Sequence, residues 1–259
     1  MKINNDSLQP YFDDLAKARH FSEIYDNVLA MSEAMGFSYF AITEHLNTRP
    51  NRPTPMSIIN YPKNWDGLFR KKRLFGVDPV HRASDRRLRG FFWSEVPRLI
   101  PMTKQDYRVF ELAQNNGLGE GYTIPAHVPG QFNGSCSFGM RTGEEIRIKF
   151  DQIPILNFLG TAIFETAHSL YHGGGADQLE RPRLTDRQLD CVALFAQGLS
   201  TRQISRALNI TYETAVQHIK DAALRYGVSK RTPLAVRVLR DGSLSFQDVM
   251  PRISPHSWG

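Results

Sequence analysis

Four residues within a short stretch carry the groups needed to hold one small polar molecule: Tyr61, Trp65, Asp78 and Trp93. A carboxylate accepts hydrogen bonds, whereas an indole N–H and a phenol O–H donate them. Asp78 lies in FGVDPV, between Val77 and Pro79. A carboxylate in so apolar a setting either caps a turn or accepts a hydrogen bond inside a pocket. The two tryptophans read as core or as ligand wall, core being the commoner fate. Other chemistry is poorly supported. Ser135 and Ser137 belong to no G-x-S-x-G elbow, and there is no His-x-His-x-Asp-His array, so the chain is not expected to be an enzyme. His168 and His172 stand four apart on an expected helix, a spacing able to bind a metal. No third ligand is near them in sequence, so a solvated face is expected, with no metal and no cofactor. Gly173-Gly174-Gly175 follow a helix rather than a strand and read as linker. Cys136 and Cys191, the two cysteines, read as buried small hydrophobes in a reducing cytoplasm.

The elements that must position these residues alternate. Residues 11–36 predict one amphipathic helix or two, stopped at Gly36, and FSYFAITE (37–44) predicts a strand. A proline-rich loop follows, then a strand at Ser57–Tyr61. A helix from Pro62 puts Trp65, Leu68, Phe69 and Phe75 on one side, with Arg70, Lys71 and Arg73 outside. The basic runs at 70–73 and 86–89 read as solvated surface. Further expectations are a helix at 104–116, strands at Gly121–Pro125 and Gly134–Met140, and a long helix from Asp151 to Tyr171. Helices packed on an antiparallel sheet make an α+β layer, which can enclose a ligand.

From Thr185 the pattern changes to four short helices. Thr185 with Gln188, and Ser200 with Gln203, have capping-box spacing. Leu189, Val192, Ala193 and Ala196 predict the first apolar stripe, and Ile204, Ala207 and Leu208 the second. Gly198 supplies a left-handed stop. After a turn at Asn209-Ile210, Thr211 caps a third helix with Ala215, Ile219, Ala222 and Tyr226 inward; Thr232-Pro233 is expected to start a fourth. Two short helices joined by a turn, the second longer and polar outside, form a helix-turn-helix. Residues 181–259 hold 12 Lys and Arg against 6 Asp and Glu, while residues 1–180 hold 20 of each, so the net charge of +6 sits on the C-terminal segment. Such a basic module beside a neutral one suits phosphate binding.

LTDRQ, Gly198-Leu199-Ser200 and Ile210-Thr211-x-x-Thr214-x-x-x-His218 resemble the DNA-binding domain of LuxR-type regulators. Gln188, Ala215 and the pair Asp221-Ala222 depart from that pattern in caps and packing. Upstream, YP-x-x-W with the later DP, FFW and GLGEGYTIP is similar to the acyl-homoserine-lactone-binding domain of the same family. The resemblance implies that Trp65 donates to the lactone carbonyl, Asp78 accepts the ligand amide N–H, and Tyr61, helped by Ser137, donates to the acyl carbonyl. It implies that Trp93 walls the lactone ring. Thr123 and Phe132 are weaker wall candidates. Phe69 stands where the family commonly has Tyr: either that position is only wall, or the ligand tail differs.

The expected organisation is an α-β-α sandwich sensor at 1–174, a linker at 175–182 and an all-α four-helix DNA-binding domain at 183–259. The third helix is expected in the major groove, with Tyr212, Glu213, Val216, Gln217 and Lys220 near base edges. Thr201, Arg202, Lys230 and Arg231 would contact phosphates. The expected partners are an N-acyl-homoserine lactone, an inverted repeat in duplex DNA and a second copy of the chain, with RNA polymerase a further candidate. An orphan regulator answering another molecule, or none, is the alternative. No run of about 18 apolar residues spans a membrane, MKINNDSLQPYFDD is not a secretory signal, and the cytoplasm is expected. FAITEHL lacks the acidic pair of a phosphorylated response regulator. The tail SFQDVMPRISPHSWG is expected to be extended surface or disordered.

Overall fold

The computed structural model describes residues 5–45, 55–127, 133–172 and 182–250. Two compact units separate on either side of Asp177 and Gln178.

The first unit opens with α1 (Asn5–Lys17) and α2 (Phe21–Ala34), followed by β1 (Tyr39–Glu44) and β2 (Ser57–Ile59). Next come α3 (Lys63–Lys71), α4 (Pro79–Ser84), β3 (Phe91–Phe92), α5 (Val96–Leu99) and α6 (Lys104–Asn115). The unit closes with β4 (Leu118–His127), β5 (Asn133–Arg141) and α7 (Ile153–Tyr171). The five strands form an antiparallel sheet in the order β2-β1-β5-β4-β3. Strand alternation gives it two apolar faces. Phe40, Ile42, Tyr122, Ile124, Cys136 and Phe138 pack with Ile24, Val28, Leu159 and Ile163 of α2 and α7. Gly160 lets α7 come close to β4, since a Cβ there would lie 2.8 Å from Ile124 Cδ1. On the opposite face, Trp93, Leu118 and Phe91 pack with Trp65, Val80, Val96 and Val109 from the helices between β2 and β4. The α-β-α sandwich with an antiparallel sheet is therefore as expected. The short α4 and α5 are additions that periodicity did not signal: each is under two turns, with Pro79 or Pro97 in its first turn.

The second unit holds α8 (Asp186–Ala196), α9 (Thr201–Leu208), α10 (Tyr212–Arg225), α11 (Arg231–Arg240) and the short α12 (Phe246–Val249). Its first three helices start at the caps expected from sequence. Thr185, Ser200 and Thr211 hydroxyls accept from the backbone N–H of Gln188, Gln203 and Thr214. Gly198 and Asn209 take the left-handed conformation at φ 94° and 54°, ending α8 and α9. Three details differ. The fully buried stripe of α8 is Cys191 and Val192 with Phe195 beside them, and Leu189, Ala193 and Ala196 only flank it. Ala207 is exposed, while Ser205 is buried. The fourth helix starts at Arg231 behind Lys230, so Thr232 is helical and Pro233 sits in the first turn, where an N–H has no intrahelical acceptor anyway. The start of the tail is helical as well: Ser245 caps α12, and Gln197 Nε2 donates to the Asp248 carbonyl at 2.9 Å. Both cysteines are free and buried, and burial pushes both thiols up. The linker expected at 175–182 and the end of the tail lie almost wholly outside the described residues.

Candidate functional site

Between the sheet and the helices that follow β2 lies a cavity of about 80 Å³. A water molecule needs roughly 10–15 Å³ by that measure, so several waters or part of a small ligand would fit. Its wall is mostly aromatic and aliphatic: Trp65, Phe69, Phe75, Trp93, Val109 and Phe110, with Ala41 and Ile59 from the sheet. Tyr61, Asp78 and Ser137 bring polar groups to that wall. Six of the eight residues expected from sequence to meet a ligand therefore line one cavity. Thr123 does not. Phe132 lies outside the described residues.

Each polar group has a local reason for its place. Trp65 is on the inner side of α3 and is 5% exposed. Its ring packs against Phe69, which in turn packs edge-on to Phe75 at 4.9 Å. No hydrogen bond ties the Trp65 indole N–H to any described residue, which leaves a donor at the cavity wall. Asp78 resolves the two readings of its sequence setting by satisfying both. Oδ1 accepts from Val80 N–H at 2.8 Å and so caps α4. Oδ2 lies 3.8 Å from His81 Nε2, and the residue lines the cavity.

Trp93 lies flat against the sheet because position 121 is glycine: a Cβ there would fall 2.4 Å from the indole ring. The Trp93 indole N–H donates to Thr123 Oγ1 at 2.8 Å, and Thr123 Oγ1 lies 2.8 Å from Ser137 Oγ. Thr123 and Ser137 face one another across β4 and β5. Ser137 also neighbours the Tyr61 hydroxyl on the cavity wall. Burial, then the nearby Asp78 charge, push the Tyr61 phenol well above its ordinary range, so it stays a neutral donor. The surface Tyr61 retains faces the cavity rather than bulk water. Thr123, fully buried, thus stands behind the wall and holds Trp93 and Ser137 in place.

Sequence reasoning missed further polar neighbours in the lining, among them Arg70, Asp66 and His81. Arg70, expected outside, lines the cavity with Asp66, to which its Nε donates at 2.8 Å. The Arg70 side chain stays largely exposed, as expected, and the i,i+4 spacing signalled the pair. His81 also lines the cavity, stacked on His45 at 4.0 Å. His45 is held between Asp85 (3.1 Å) and Ser135 (2.9 Å). Burial, reinforced by His81, lowers it from its ordinary 6.5 to about 3, so its contact with Asp85 is a neutral hydrogen bond rather than an ion pair.

In the second unit, Ala215, Ile219, Ala222 and Tyr226 are buried as expected. Tyr212, Glu213, Gln217 and Lys220 are exposed on α10, with Val216 half-buried among them. Gln217 Nε2 donates to Asp221 Oδ1 at 2.7 Å, which pre-sets its amide. Arg202, Lys230 and Arg231 are exposed. Thr201 is a correction: it is only 7% exposed, and its hydroxyl accepts from Arg231, whose guanidinium also lies over the Phe195 ring. The Thr201 hydroxyl is thus taken up by Arg231 inside the unit.

His168 and His172 also differ from the expected solvated face. His168 is 9% exposed, and both imidazoles turn toward Glu44, whose carboxylate is buried.

A sandwich with a polar-dotted apolar cavity, carried on one chain with a basic helix-turn-helix, defines a ligand-sensing DNA-binding regulator. Residues 21–167 match the autoinducer binding domain and residues 182–238 the bacterial regulatory proteins of the luxR family. The first match alone spans more than half of the chain, and the protein belongs to this family of LuxR-type transcriptional regulators, which are not enzymes. It is 20% identical over 243 residues to the transcriptional activator AhyR of Aeromonas hydrophila, covering 93% of this chain and 94% of that one. It is 28% identical over 183 residues to the quorum sensing-dependent regulator RpaR of Rhodopseudomonas palustris, covering 70% and 72%. Among solved structures, SdiA in complex with octanoyl-rac-glycerol superposes with a TM-score of 0.62 at 17% identity, covering 94% of this chain and 98% of that one. Escherichia coli SdiA alone gives 0.61 at 18%, covering 92% and 97%. These structures share the fold. No described helix is long and apolar enough to cross a membrane.

Proposed function

We propose that this regulator binds an N-acyl-homoserine lactone in the sheet-side cavity and, as a homodimer in the cytoplasm, reads an inverted repeat in promoter DNA. The observation that carries the reading is the polar set on an apolar wall: one acceptor, Asp78, beside three donors, Trp65, Tyr61 and Ser137. An acylated aminolactone presents one amide N–H and two carbonyls on an apolar tail: Asp78 takes the N–H, Trp65 the lactone carbonyl, and Tyr61 with Ser137 the acyl carbonyl. A few convergent polar groups on an otherwise apolar wall orient a small ligand. Phe69, packed between Trp65 and Phe75, serves as wall.

On the DNA side, Gln217 and Lys220 project from α10 toward base edges while Arg202, Lys230 and Arg231 meet phosphates. Ligand burial completes the core of the first unit, and anything that binds only the folded state stabilises it. The second reading, a regulator of a different lipid signal, has one support: the SdiA complex holds octanoyl-rac-glycerol, an acyl ester with no amide N–H.

Calorimetric titration of the full-length protein with a lactone panel and with monoacylglycerols separates the two. Saturable lactone binding that is lost in Trp65→Ala, with promoter binding by the second unit retained, is the expected result. Lactone response unchanged in that variant would refute the assignment of the cavity, and tighter binding of the glycerol ester would favour the second reading.

A further inference from the structure

The last turn of α7 and the end of β1 bring together three groups that the signal cavity does not use. Glu44 Oε1 lies 2.7 Å from His172 Nε2 and 3.6 Å from His168 Nε2. All three ligand atoms fall within 4.8 Å of one another. The helix supplies the two imidazoles at i and i+4, on one face. The strand supplies the carboxylate from the sheet face that packs on α7. Glu44 is 4% exposed and is oriented by a second contact, since Met56 N–H donates to Oε2 at 3.0 Å.

The protein alone leaves this cluster incomplete. His168 Nε2 is buried without a hydrogen-bond partner, although it is aimed at the carboxylate. A buried polar atom without a partner calls for an explanation, and so does a carboxylate as deeply buried as that of Glu44. A cation answers both at once. With bonds of about 2.0–2.1 Å, a tetrahedral zinc ion places its ligand atoms about 3.3 Å apart. The observed 2.7 and 3.6 Å straddle that spacing, so a small shift of the side chains would accommodate the ion.

We propose that Glu44, His168 and His172 form a binding site for a divalent transition-metal ion of the zinc type. Two imidazoles and one carboxylate are borderline and hard donors, a set that suits Zn²⁺ and leaves a fourth position for water. Met56 N–H acts behind the first set of ligands by fixing the carboxylate. A bound ion would tie the C-terminal turn of α7 to the end of β1. The role proposed is structural, since the ion would join two elements of the fold.

The test is titration of metal-free full-length protein with Zn²⁺ alone by calorimetry, repeated with Co²⁺ as an absorbance probe. One ion per chain and intense visible bands from low-coordinate Co²⁺ are expected. His172→Ala, at a part-exposed position on the last helical turn, should keep the fold by circular dichroism. It should weaken binding by more than about a hundredfold, since even loss of a group behind the ligands typically costs 10–100-fold. Glu44→Gln should abolish the visible bands. Failure of the wild type to bind at one ion per chain would overturn the proposal. So would undiminished binding by a folded His172→Ala variant. Neither result touches the lactone reading, which rests on the opposite face of the sheet.

Discussion

Asp78 does two things with two oxygens, and substitution can separate them. Asp78→Asn keeps an oxygen for the cap on Val80 N–H, and asparagine caps helices as well as aspartate does. Holding that oxygen at the cap turns the amide nitrogen toward the cavity. An acceptor becomes a donor there, facing the ligand amide N–H. A hydrogen bond to a charged group contributes about 1.5–3 kcal/mol, and a buried donor left unpaired costs about 1–3 kcal/mol more. At about 1.4 kcal/mol per decade, the summed loss of roughly 2.5–6 kcal/mol should lower lactone affinity by about sixtyfold to more than ten-thousandfold, while stability in the absence of lactone stays near wild type. Asp78→Ala removes both functions and should lose a further ~0.5–2 kcal/mol of stability through the cap. The assay is calorimetric Kd beside thermal denaturation of the same preparations. Lactone affinity of Asp78→Asn within about threefold of wild type, a difference well under 1 kcal/mol, would refute the role of the second oxygen. Destabilisation of Asp78→Asn equal to that of Asp78→Ala would refute the separation.

Thr123→Val should lower stability by about 1–3 kcal/mol, read as a drop of several degrees in Tm, because the Trp93 indole N–H loses its acceptor; Thr123→Ser should restore most of it, and equal Tm values for both variants would contradict the positioning role. Stability should fall as pH drops below about 6.5, because the unfolded chain takes up a proton on His45 that the folded chain refuses until about 3. The direction follows from a folded pKa below the unfolded one, and the full window is worth several kcal/mol at roughly 1.4 kcal/mol per pH unit. His45→Gln should flatten that slope in denaturant melts at stepped pH; an unchanged slope would assign the loss to Asp85 and other groups. Lys220→Ala should weaken promoter binding and, if the contact is to phosphate, reduce the salt slope by about one; a gel shift at two salt concentrations reads both.

The second unit was almost wholly legible because its signals are local. A cap and its partner stand three residues apart, so Thr185, Ser200 and Thr211 announce their helices without tertiary help. The α8 stripe and the start of α11 were misplaced by a residue or two, since frayed helix ends carry little sequence contrast. The candidate cavity residues were named from spacing and resemblance, but their division of labour was not.

What the sequence by itself determined is the alternation of elements, the four capped helices, the basic C-terminal unit and the group of residues able to meet a signal. Only tertiary packing sets which of them line the cavity. Pairing of β4 with β5 puts Thr123 beside Ser137 and behind the wall. The fit of Trp93 over Gly121 fixes the indole. Packing of α7 on the sheet brings Glu44 within 2.7 Å of a histidine 128 positions away in the chain. Capping and helical periodicity act between near neighbours and are written in contiguous residues. Strand register and face-to-face packing join distant ones, and no short stretch of sequence records them.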